Sequence, residues 1–256
     1  MYTPPLPRMT RRSVGLQADK KTGGLKTAST ASAGLERALM ERVHRDWGAL
    51  LQEACKYSSI PLEFIAALIA NESGGKPGAT RFESGVFKHL QAVRDGREPR
   101  YGSLRAEDLR TPRPDAAGHR PALQPFSDDE LRALATSWGL TQIMGYHCLS
   151  WERPPGDLLD PKFNLGLAVR LATHFVEAFQ LDVRRDGGGD YEGLFRCWNS
   201  GAPRDDPKTT RLEGKTFDPH YAERGLARMA IYRELSAVHS PLSTVHCRVG
   251  VEGTDL

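Results

Sequence analysis

The sequence predicts a mainly α-helical protein with one principal domain. Three observations carry this expectation. Apolar residues recur at three- and four-residue spacing in several long runs, the period of a helix face. Two of these runs open on Asp-Pro, at Asp160-Pro161 and Asp218-Pro219, with aspartate in the capping position and proline in the first turn, where its missing N–H costs little. No strict apolar/polar alternation extends beyond a few residues, so no long half-buried strand is expected. A chain of 256 residues that is 39% hydrophobic and 26% charged can bury one substantial core.

Residues 1–33 are rich in Pro, Gly, Ser, Thr and Lys/Arg. They offer too little apolar surface to offset the entropy of ordering, and read as a flexible basic tail. The first helix spans 34–57, with Leu35, Leu39, Val43, Trp47, Leu50 and Leu51 on its inner stripe. The second, 61–73, has Pro61 in its first turn and stops at Gly74-Gly75. Residues 95–126 are proline-rich and charged, and read as an irregular surface insert. Ser127-Asp128-Asp129-Glu130 has the pattern of a capping box opening a helix over 128–136. Helices from Asp160 to residue 180, over 191–198 and from Asp218 to residue 235 complete a domain over 34–236, with an irregular tail at 237–256.

Several function classes find no support. A net charge of +3, evenly spread, does not argue for nucleic acid, although anionic wall polymers would be weakly attracted. No apolar run approaches the roughly 18 residues of a membrane span. The eight histidines form no H-E-x-x-H pattern, and Cys55, Cys148, Cys197 and Cys247 contain no C-x-x-C pair. No metal or other cofactor is therefore expected, and reduced, partly buried thiols are the favoured state of the cysteines. The N-terminal stretch has basic residues but no apolar core of a signal peptide. A monomer is the default expectation.

The stretch IANESGG, residues 69–75, carries the sharpest signal. On a helical wheel with Ile65 at zero, Leu62 falls at about 60°, Leu68 at about 300°, Ile69 at about 40° and Glu72 at about 340°. Glu72 thus lies in the middle of the apolar arc, whereas Glu63, at about 160°, reads as a solvated charge. Burial and the unpaired carbonyls of a last helical turn both disfavour a negative charge. A carboxyl so placed suits a general acid, or else belongs to a structural hydrogen-bond network.

The blocks IPLEFIAALIANESGG, Gly139-Leu140-Thr141-Gln142-Ile143-Met144 and Cys197-Trp198-Asn199-Ser200-Gly201, with Asp160-Pro161 and Tyr221 in DPHYAERGLARMAIY, follow one another in fixed order. Together they resemble the lytic transglycosylases and goose-type lysozymes, over residues 59–235. The insert departs from that pattern. Its start, Arg81-Phe82-Glu83-Ser84-Gly85-Val86-Phe87, resembles the R-F-E-x-x-x-F block of phage-type N-acetylmuramidases. Trp198 stands where the family has a tyrosine, which leaves that tyrosine's contacts without a counterpart.

The resemblance implies a lysozyme-like helical domain with a groove for peptidoglycan glycan strands. In the transglycosylase mechanism one glutamate, here Glu72, is acid and then base, and the product is a 1,6-anhydromuramic end. A hydrolase would need a second carboxylate to position water, with Glu83 the candidate; pairing with Arg81 is its structural alternative. Ser73, Gln142, Trp198, Asn199 and Tyr221 are the candidate substrate-binding residues. Gln142 suits an N-acetyl group, Tyr221 can reach Glu72, and Ser73, Asn199 and Trp198 each have a structural alternative as cap, groove support or core. A non-catalytic glycan-binding wall module is the competing class. Action on the cell wall, periplasmic or extracellular, with no visible export signal fits a phage or prophage lysin, the cargo of a secretion system, or a misplaced start site.

Overall fold

The computed structural model describes residues 27–114, 121–184, 188–203, 218 and 220–238. The described residues are mainly helical, with a few short strands. Helix α1 (Thr27–Cys55) packs on α2 (Leu62–Glu72), α5 (Pro161–Phe179) and α7 (Tyr221–Val238), and α6 (Tyr191–Ser200) packs on α5 and α7. Helix α2 is the centre of this group. Its whole run from Phe64 to Ala70 is buried, as expected of a helix that is apolar all the way round.

Burial on every side corrects one sequence reading. Glu63, expected on a solvated face, has a side chain only 12% exposed and accepts from Arg233 Nε of α7 at 2.8 Å. The wheel separates polar from apolar positions, but it does not show that α7 covers the polar side as well. Likewise α1 starts at Thr27 and not near residue 34, so the expected 1–33 tail is helical from Thr27 onward. Alanine recurs through Thr27–Ala33 and no proline interrupts it, which is sufficient for an existing helix to propagate backwards. Residues 1–26 and 239–256, the bulk of the two expected tails, lie outside the described residues.

A second, smaller core joins α3 (Ser84–Arg94), α4 (Asp128–Leu134) and a 3-10 turn at Gly145–Trp151 through Val86, Leu90, Val93, Leu131, Leu134 and Tyr146. Beside it lies an antiparallel sheet of β1 (Thr80–Phe82), β4 (Thr136–Trp138) and β5 (Ile143–Met144), in the order β1-β4-β5. The insert at 95–126 is not irregular throughout. It holds a paired ribbon of β2 (Arg110–Pro114) and β3 (Pro121–Pro125), aligned from Arg110 with Pro125 to Pro114 with Pro121. Prolines in both strands disguise this ribbon in the sequence, because proline removes ladder donors and is tolerated only at edges.

The expected caps are present where the structure describes them. Asp160 accepts from Lys162 N ahead of Pro161 at the start of α5, and Ser127 and Glu130 form the reciprocal box that opens α4. Asp218 accepts from His220 N just before α7.

Candidate active site

Helix α2 delivers Glu72 as its last residue, at the edge of the larger core. The helix ends there because Ser73 and Gly74 both turn their N–H groups onto Ile69 O, and Gly74 and Gly75 take left-handed φ values of 62° and 87° that favour glycine. Helix α1 clamps this turn: Arg42 Nη2 donates to Gly74 O at 3.4 Å and Trp47 Nε1 to Gly75 O at 3.3 Å. The end of α2 is therefore held from outside as well as by its own cap.

Glu72 is half-buried, as its place on the apolar arc requires. The Tyr221 hydroxyl, from the first residue of α7, donates to Glu72 Oε1. The Tyr221 ring is buried and meets Phe195 edge-on at 6.3 Å, so the phenol is held by packing as well as by its hydrogen bond. Glu72 Oε2 is closed to solvent.

The carboxyl is framed by a network that the sequence reading did not identify. Asn71 Nδ2 donates to Tyr221 O at 3.2 Å, and Asn71 Oδ1 accepts from Arg228 Nη1 at 2.7 Å. Arg228 presents its other edge to Glu36 of α1, with Nε at 2.7 Å from Oε2 and Nη2 at 3.0 Å from Oε1. That fork, a hydrogen bond first and charge attraction second, holds the Glu36 carboxyl below its ordinary range against the opposing effect of burial. One signal was available: Arg228 lies two turns from Tyr221, on a stripe with Gly225, Met229, Tyr232 and Leu235, so it is a charge on the buried face of α7.

The other candidate residues are not all where the sequence placed them. Gln142 is buried and fully engaged by protein groups. Its Oε1 accepts from Ser137 Oγ at 2.9 Å, and its Nε2 donates to Gly139 O at 2.9 Å and Ala79 O at 3.0 Å. Both amide hydrogens are used, so Gln142 locks the β4–β5 turn and does not present its amide to an N-acetyl group. Trp198 takes the second of its two readings. It is 1% exposed, edge-on to Phe175 at 6.5 Å, and belongs to the core instead of lining a groove.

Asn199 is half-buried in the last turn of α6. Ser73 acts as a local cap, donating from Oγ to Ile69 O at 3.3 Å and accepting from Gly75 N at 3.2 Å.

Glu83 occupies the position just before α3 without a side-chain cap bond, and its N–H donates to Ala135 O at 2.9 Å. Its side chain is 12% exposed and accepts from Arg81 Nε at 2.6 Å. Beneath it lies Tyr146, whose phenol is pushed above its ordinary value by burial and then by Tyr101 and Glu83 nearby. Glu83 is thus committed to an ion pair inside the smaller core's rim.

The turn carrying Gln142 is fixed from α5. Asn164, fully buried, accepts from Thr141 N at 3.1 Å and Thr141 Oγ1 at 2.7 Å, and donates from Nδ2 to Leu158 O at 3.0 Å and Trp138 O at 3.1 Å. Gly139 (φ 74°) has no room for more than hydrogen, because a Cβ would lie 2.2 Å from Leu158 O and 2.5 Å from Asn164 Nδ2.

Cys55, Cys148 and Cys197 are buried, and burial pushes the Cys148 and Cys197 thiols up to about 12. Among the described residues no group of His, Cys, Asp and Glu could hold a metal ion, and no helix is long and apolar enough to cross a membrane. Comparison with known proteins finds no matching family model, no matching curated protein and no matching solved structure.

Proposed function

We propose that this chain is a peptidoglycan-cleaving lytic transglycosylase with a lysozyme-like domain, acting on the β-1,4 bond between N-acetylmuramic acid and N-acetylglucosamine. The observation that carries the reading is the hydrogen bond from Tyr221 to Glu72 at the end of a buried helix. The ordered sequence blocks that resemble this family supply the substrate class.

Glu72 first protonates the glycosidic oxygen while the muramic N-acetyl carbonyl stabilises C1. The Tyr221 phenol holds the carboxylate that remains. Glu72 then takes the proton of the sugar's 6-hydroxyl as that oxygen bonds to C1, closing the anhydro ring and restoring the acid. Nothing is oxidised or reduced, and no cofactor enters. The site of action is then the bacterial cell wall.

Hydrolysis with Glu83 as the water-positioning carboxylate is the less supported route, because Arg81 already engages Glu83. Digestion of purified peptidoglycan followed by mass analysis of the fragments separates the readings. Anhydro ends that disappear with Glu72→Gln support the transglycosylase. Reducing ends assign the chain to the muramidases instead. A chain that binds glycan unchanged after Glu72→Gln and never cleaves it is a wall-binding module.

A further inference from the structure

We propose that Asn71 and Arg228 are positioning residues that set the Glu72–Tyr221 pair, an inference that rests on the transglycosylase reading for its kinetic consequence alone. Two consecutive residues of α2 grip one residue of α7: Asn71 holds the Tyr221 carbonyl, and Glu72 holds the Tyr221 phenol. A ring closed through backbone and side chain fixes both the height and the rotation of the phenol relative to the carboxyl. One hydrogen bond alone would leave the rotation free.

Asn71 can do this only if its amide is held the right way round. An amide with Oδ1 toward Arg228 and Nδ2 toward Tyr221 O satisfies both partners; the flipped amide would set Nδ2 against a guanidinium N–H and Oδ1 against a carbonyl. Arg228 decides the orientation. Its side chain is 10% exposed, and Glu36 holds its far edge through two hydrogen bonds, so its Nη1 points at Asn71 with little freedom. Lysine would supply a point charge and could not address Glu36 and Asn71 at fixed angles together. Neither Asn71 nor Arg228 is placed to take part in bond cleavage; they act through Tyr221 and Glu72.

The test uses the full chain with Asn71→Ala, Arg228→Lys and a control. Arg233→Ala removes the ion pair of Arg233 with Glu63, a separate tie between α2 and α7 away from Glu72. It reports what loosening these two helices does by itself. Two quantities are read: kcat and KM on purified peptidoglycan, and the hydroxyl-proton NMR signal of Tyr221, assigned by its loss in Tyr221→Phe.

Asn71→Ala and Arg228→Lys are expected to lower kcat by about tenfold to a hundredfold with KM little changed, the size of effect that a misplacement of about 1 Å produces. The Tyr221 hydroxyl signal moves upfield or is lost. Arg233→Ala lowers the melting temperature and leaves both readouts as in the parent. An unmoved Tyr221 signal in Asn71→Ala overturns the inference, as does a control that alters kcat and the signal as strongly as the two variants. A parent chain that cleaves no peptidoglycan refutes the proposed function, while the Tyr221 signal still decides the positioning role.

Discussion

Tyr221 and Glu72 are joined by a hydrogen bond across 149 positions of the sequence, tying the first residue of α7 to the last of α2. A contact of this kind to a carboxylate contributes about 1.5–3 kcal/mol. Where it acts on the catalytic acid, its loss is felt in the rate. Tyr221→Phe keeps the ring against Phe195 and deletes only the hydroxyl. We expect kcat on peptidoglycan to fall by about tenfold to a hundredfold with the same anhydro products, and the melting temperature to fall by several degrees, as the loss of that contact requires. Steady-state kinetics with product mass analysis check this. A parent-like rate would show that the phenol has no part in the chemistry.

Glu83 presents the opposite case. Its carboxylate is held by Arg81 and largely shielded, so it is expected to anchor β1 and α3 instead of activating water. Glu83→Gln should retain cleavage within about tenfold of the parent, and the products should stay anhydro-terminated. It should also lose stability, because Arg81 is left without its anion; an exposed partner keeps that cost to roughly 1 kcal/mol. Activity as low as that of Glu72→Gln would restore Glu83 to the catalytic pair.

The helices were legible because their signals are local. Asp160-Pro161 and the Ser127–Glu130 box declare helix starts within four residues, and the placement of Glu72 on the apolar arc needs only the 11 residues of α2. The missed elements lack such signals. Strands β1 and β4 are three residues long and β5 two, too short for an alternation to register. Helix α3 opens without a capping side chain or a first-turn proline, so only the spacing of Val86, Leu90 and Val93 announces it. The direction of the Gln142 amide depends on a left-handed φ of 52° and on Ala79, 63 positions away. Trp198 faces inward because α5 meets α6 there, a fact of packing that no window of sequence contains.

Asn164 concentrates stability at one position. Its side chain makes four hydrogen bonds, each to a different group on the Trp138–Thr141 turn or at Leu158, with none of its surface exposed. Asn164→Ala leaves buried donors and acceptors unsatisfied at about 1–3 kcal/mol apiece, partly relieved by entering water. A loss of about 3 kcal/mol or more in urea unfolding is expected. Asn164→Asp should fare little better, since it turns a carboxyl oxygen onto the carbonyls of Trp138 and Leu158. A loss below about 1 kcal/mol for either variant would mean that the turn is held by Gln142 and Gly139 without help from α5.

His147 gives the protein a built-in sensitivity to acid. It is 4% exposed, stacks obliquely on Tyr146 at 4.5 Å, and neither ring nitrogen has a hydrogen-bond partner among the described residues. Burial, and secondarily the charge of His174, lower it from 6.5 to about 3. Above the unfolded value both states carry a neutral ring and His147 adds nothing to the pH dependence. As pH falls through 6.5 the unfolded chain takes a proton that the folded chain refuses, so stability drops by up to about 1.4 kcal/mol per pH unit until the folded ring is itself protonated near about 3. Carboxylates titrate in the same window, and the variant His147→Phe separates them, because it removes this one proton and leaves the rest. Urea midpoints for parent and variant should run parallel above 6.5 and diverge below it, with the parent falling faster. Parallel curves throughout would mean that the folded protein provides His147 with a way to hold its proton.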